Sequence, residues 1–139
     1  MREFSLLIRA ADDLPDCWVA HCLNWDLVSQ GSSPSHAIKS VAEAIVLAIE
    51  EDIAADLDPD DRLPAPAEDW ELFQRTLQNG MRVAAGDVDR LPGRTAVVAA
   101  VMYIAPVGVR PERSIQLPPV PPPFMIAAMS DHDSSAHHS

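Results

Sequence analysis

The residues in this chain able to carry chemistry are few and closely spaced. His21 stands between Cys17 and Cys22, which invites a thiolate–imidazole nucleophile. Such a pair needs thiol and ring on one side of the backbone and a third group to orient the base. On an extended segment neighbours alternate sides, so Cys22 points away from His21, and no orienting group is evident. His21 therefore reads as a packed or partner-facing histidine. Cys17 and Cys22 are an odd number of positions apart, face opposite ways and read as reduced, packed thiols. A second group, Asp56, Asp58, Asp60 and Asp61 in DLDPDD, spaces carboxylates somewhat as a calcium loop does. It lacks the turn Gly and the closing Glu and contains Pro59, so it reads as a solvated helix exit. His132, His137 and His138 read as part of a polar terminus rather than a metal site. There is no Gly-rich phosphate loop, His-Glu-x-x-His, Cys-x-x-Cys or Gly-x-Ser-x-Gly elbow. No enzyme chemistry is expected, and no cofactor or metal.

The elements that must position these residues are concentrated between Cys17 and Asp52. Trp18 to Leu23 reads as a strand with Trp18, Ala20 and Cys22 on one face and Val19, His21 and Leu23 on the other. Leu27 to Gln30, ended by Gly31 and two serines, reads as a second strand, close enough to form a hairpin with the first. Ser33 has the chemistry of a helix cap and Pro34 suits the first helical position, so a helix is predicted from there to about Asp56. Ile38, Val41, Ala42, Ile45, Ala48, Ile49 and Ile53 give it one wide apolar face. Val46 and Leu47 widen that face, either as rim residues or as contacts with a second subunit.

Before this unit, Phe4 to Ala10 reads as a strand, with Asp12, Asp13 and Pro15 forming the turn that follows. After it, Arg62 to Pro66 is an extended connector. Glu68 to Asn79, with Trp70, Phe73 and Leu77 at helical spacing and Gly80 as the stop, predicts a shorter helix that acts as a lid over the sheet or the first helix. Val83 to Arg94 reads mainly as loop. Thr95 to Val107 is the most apolar run and predicts a strand buried from both sides, central in its own sheet or against a second copy, with a helix as the competing reading because the run is Ala-rich. On the second option Val97, Val98, Val101, Tyr103 and Ile104 form an oligomer interface. The prolines from Pro111 to Pro123 then predict a semi-rigid polyproline arm, whose Phe124, Met125, Ile126 and Met129 dock on a neighbour or partner or simply end a disordered tail. The division is a domain over 1–109, with residues 67–80 inserted as a helix, and a Pro-rich arm over 110–139.

Charge narrows the partners. The chain has a formal net charge of −11, and residues 1–66 hold 13 acidic and 4 basic side chains against 8 and 6 in residues 67–139. An acidic surface repels phosphate backbones and attracts basic proteins, so direct nucleic-acid binding is not expected. No apolar run reaches the roughly 18 residues of a membrane span, and the start MREFSLLIRAADD does not read as a secretory signal, so no membrane association and a cytoplasmic location are expected.

The pattern Trp18, Val19, Ala20, Cys22, Leu23, then Trp25 and Asp26, the turn Ser29 to Gly31, the helix opening Ser33 to Ala37 and Glu43, Ala44 and Ile45 resembles the HicB family of type II antitoxins, which pair with HicA-type ribonuclease toxins. With the strand before it the resemblance covers about the first 65 residues. It implies an α+β fold of β-β-β-α-β order, similar to a reduced ribonuclease H core, with one long helix across a small antiparallel sheet. It also implies neutralisation of a small basic HicA-like toxin by protein–protein contact. The contacts expected are Trp25 and Asp26 beside the sheet edge, Glu50, Glu51 and the acidic exit of the helix as steering charge, and Trp70 as an anchor. Nucleases of the ribonuclease H fold hold metal with carboxylates on central strands, whereas Phe4 to Ala10 carries none and Asp26 stands alone. Many family members add a DNA-binding module, and this chain has the proline arm instead. The alternative is a stand-alone HicB-like homo-oligomeric adaptor whose arm recruits a partner.

Overall fold

The computed structural model describes residues 2–91, 96–105 and 122–130. The elements in chain order are β1 (Arg2–Ala10), β2 (Trp18–Cys22), β3 (Leu27–Gly31), α1 (Pro34–Ala54), α2 (Ala67–Asn79), β4 (Met81–Arg82), β5 (Ala96–Ile104) and β6 (Met125–Ser130). The fold is α+β. One antiparallel six-stranded sheet runs β3-β2-β1-β5-β6-β4. Short 3-10 turns at Pro59–Asp61 and Ala85–Arg90 complete the connections.

Alternation along the strands assigns each side chain to a face. Phe4, Leu6, Ile8, Ala20, Cys22, Val98, Ala100, Met102 and Ile126 meet Ala37, Ile38, Val41, Ala42, Ile45, Val46 and Ile49 of α1 in the larger core. Leu7, Leu23, Val97, Ala99 and Val101 meet Phe73, with Trp70, Leu72 and Leu77 beside it, in a smaller core under α2. Each fully buried Leu, Ile or Phe contributes roughly 1.5–3 kcal/mol relative to exposure. The two helices thus cover opposite faces, which explains why β5 is apolar on both.

The predicted helix start is present in detail. Ser33 is extended, its side chain accepts from the His36 N–H at 3.2 Å, and Pro34 opens α1. Asp89, in the second 3-10 turn, adds a carboxylate to the same end, accepting from the Ser35 N–H at 2.8 Å and from the Ser35 hydroxyl. Two glycines are required for space rather than for unusual backbone angles. A Cβ on Gly31 would stand 2.4 Å from the Ala37 nitrogen, and one on Gly80 would stand 2.4 Å from the Thr76 oxygen and 2.8 Å from that of Ala128.

Three expectations change. Val97, Val98, Val101 and Ile104 are each 7% exposed or less within one chain, so they are core residues rather than an oligomer interface; Tyr103 alone of that set is exposed. Met125–Ser130 is a strand paired with β5 from Ala96↔Ser130 to Val101↔Met125, so these residues belong to the sheet and not to an arm. The reason is that MIAAMS contains no proline and β5 offers an open, apolar edge that needs a partner strand. Within Val83 to Arg94, Ala85–Arg90 forms a 3-10 turn with Val88 buried against the α1 core. The prolines from 106 to 121 and the histidines at 132, 137 and 138 lie outside the described residues.

Candidate functional site

Two polar constellations stand at the margins of the sheet. The first surrounds His21, whose side chain lies on the α2 face. Its Nε2 is 2.6 Å from Asp26 Oδ1, and its Nδ1 is 4.0 Å from Asp69 Oδ2, near the start of α2. Asp69 is in turn 3.8 Å from Arg9. Asp26 reaches His21 because it sits in the left-handed region, φ 54°, at the end of the β2–β3 loop. Cys22 lies on the opposite face, fully buried in the α1 core, and burial pushes its thiol up to about 11. A thiol so placed stays protonated at neutral pH. The His21 group therefore ties the β2–β3 loop and α2 to the sheet, and the alternation predicted for strand β2 separates its ring from the sulfur.

The second constellation lies where α1 ends. The chain leaves the helix through Asp56 in the left-handed region, φ 58°. The Leu57 N–H donates to the Asp52 carbonyl at 2.7 Å and the Asp56 N–H to that of Ile53 at 3.1 Å, the two bonds of a Schellman ending. Arg62 then folds back, giving Nε and Nη2 to the two oxygens of Asp52 at 2.7 and 3.0 Å. This bidentate bond holds the Asp52 carboxyl below the usual aspartate range. The Arg62 guanidinium also lies 6.0 Å from the centre of the Trp25 ring, and Arg2 lies 5.8 Å from it. Arg2 pairs with Asp60. Trp25 itself is edge-on to Phe4 at 5.0 Å and only 7% exposed.

The surface of this second region is acidic and apolar together. Glu51, Asp56, Asp58, Asp60 and Asp61 are exposed. Among them Leu57 is 61% exposed, Leu63 80% and Ile53 37%. Asp58 caps the 3-10 turn by accepting from the Asp60 N–H at 2.9 Å, which fixes the direction of the ridge.

The residues expected to contact a partner are distributed unevenly. Glu50 and Glu51 belong to the ridge, half-buried and exposed respectively. Trp25 adjoins it through Arg62, but as a buried support and not as a contact surface. Asp26 is exposed and engaged with His21. Trp70 packs at 6.1 Å from Phe73 in the core under α2, on the other face of the sheet from α1. Phe124 and Tyr103 stack on each other at 4.7 Å, Met125 and Ile126 pack into the smaller and larger cores, and Met129 pairs with Val97. Sequence reasoning passed over Leu57 and Leu63. Their signal is a leucine inside or beside a run of aspartates, a position where no apolar periodicity predicts burial. Arg62, ten residues after Asp52, has no local signature, because only the Schellman reversal brings the two together.

Among the described residues no group of three or more His, Cys, Asp or Glu is placed to hold a metal ion, and no helix is long and apolar enough to cross a membrane. No family model, curated protein or solved structure matches this chain.

Proposed function

We propose that this protein is a binding protein of the HicB antitoxin type, which neutralises a small basic ribonuclease by covering part of its surface. The observation that carries the reading is the ridge after α1, where Leu57 and Leu63 stand exposed among Glu51, Asp56, Asp58, Asp60 and Asp61. Large side chains left in water serve as anchors when a partner desolvates them, and a surrounding ring of one charge sign steers a partner of the other sign. The base of the ridge is braced by the Asp52–Arg62 bidentate bond and by the Trp25 ring under both arginines, which lessens the ordering that binding would require there. An antiparallel sheet with a long helix across one face is also the architecture that the sequence resemblance implies.

The test is to search beside its gene for a reading frame encoding a small basic protein and to co-express the two, followed by calorimetry and a ribonuclease assay on the purified pair; absence of such a frame counts against the proposal. The wild-type chain inhibits the nuclease, and affinity falls as salt rises. The Leu57→Ser/Leu63→Ser variant changes only exposed side chains and is expected to bind at least about tenfold more weakly at unchanged melting temperature. Glu51→Lys/Asp61→Lys slows association and flattens its salt dependence. A nuclease left fully active by the wild-type chain, or an unchanged affinity in the leucine variant, overturns the proposal.

A further inference from the structure

The two edges of the sheet differ. At one end β4 has two residues, too short to template another strand. At the other, β3 has five residues, LVSQG, and among the described residues its one partner strand is β2. It carries none of the devices that blunt an edge, having no Pro, no Lys and no Asp or Glu, and its ladder with β2 is regular from Trp18↔Gly31 to Cys22↔Leu27. Alternate backbone N–H and C=O groups of such a strand point outward. Gly31 is locked against the start of α1, and Val28 is 58% exposed on the face that α1 does not cover.

We propose that β3 is a self-association edge, on which the β3 of a second copy pairs antiparallel about a two-fold axis at Ser29. In this register Leu27 of one copy faces Gly31 of the other, Val28 faces Gln30, and Ser29 faces itself, an isologous junction that closes at two subunits. Electrostatics favours this strip. Two chains of charge −11 repel, and Leu27–Gly31 presents no carboxylate to add to that repulsion. The nearest charge along the strand is Asp26, three residues from the axis, which puts the two Asp26 side chains roughly 20 Å apart at about 3.4 Å per residue. That distance exceeds the screening length of about 8 Å at physiological salt. The subunit contact expected of β5 is moved by the fold to β3, because β6 occupies the edge of β5.

Sedimentation equilibrium of the full chain at hundred-micromolar concentration tests this. A dimer is expected, strengthened by added salt because like charges are screened, the opposite of the salt effect on binding a basic nuclease. The two proposals therefore fail separately. Val28→Glu/Gln30→Glu places like charges opposite each other twice across the junction and is expected to weaken dimerisation about tenfold. Val28→Lys/Gln30→Glu turns the same positions into two opposite-charge pairs and restores the dimer, a rescue that only this register provides. Both side chains are exposed, so circular dichroism and melting temperature stay as in the wild type. A monomeric wild-type chain in high salt, or a dimer indifferent to these substitutions, overturns the proposal.

Discussion

At the scale of single residues, the arrangement around Trp25 depends on one carboxylate. Asp52 accepts both hydrogen bonds of Arg62, and that guanidinium in turn lies against the Trp25 ring. Because the Arg62 bond lowers the folded-state pKa of Asp52, its stabilising effect is fully present above the unfolded aspartate value of about 3.9 and is lost as pH falls through the lower folded value. Urea midpoints measured between pH 7 and pH 3 are expected to fall less steeply on the acid side in Asp52→Asn than in the wild type. Equal acid slopes would assign the loss of stability to other carboxylates. Tyr103 shows the opposite sign, for its hydroxyl donates to Glu3 at 3.1 Å and that bond raises its pKa.

At the scale of elements, α1 is held at its two ends by different means. Its first turn has Ser33, Pro34 and the distant carboxylate of Asp89, whereas its last turn has no basic residue and ends through the strained Asp56. The N-terminal arrangement couples α1 to the turn that precedes β5. Asp89→Ala is therefore expected to cost about 1 kcal/mol, read as a lower urea midpoint with unchanged slope. Ser33 and Pro34 were legible as a helix start from their types and order. Asp89 was not, because a carboxylate 54 residues beyond Ser35 carries no local mark of its partner. The helical spacing of Trp70, Phe73 and Leu77 likewise predicts α2, but a period of 3.6 does not say which sheet face it covers.

At the scale of the whole molecule, β6 carries the sheet beyond residue 109. It pairs with β5 along six residues and carries Ile126 and Ala127 into the interior, so cutting the chain after Val109 strips the partner from the most apolar strand. Such a truncation is expected to aggregate or melt well below the full chain, measured by light scattering and calorimetry. Sequence alone determined the order of β1, β2, β3, α1 and α2 and their limits to within about two residues, the helix cap, the opposed faces of His21 and Cys22, and the acidic end of α1. These follow from periodicity, turn chemistry and charge, which act between near neighbours. Only the tertiary structure decided that Trp25 is buried, that β5 is covered by its own chain, that Met125–Ser130 joins the sheet, and that β3 is an edge strand among the described residues. Strand pairing across long separations is set by which edges and faces remain open after collapse, and a short apolar segment is compatible with several of them until the others are filled.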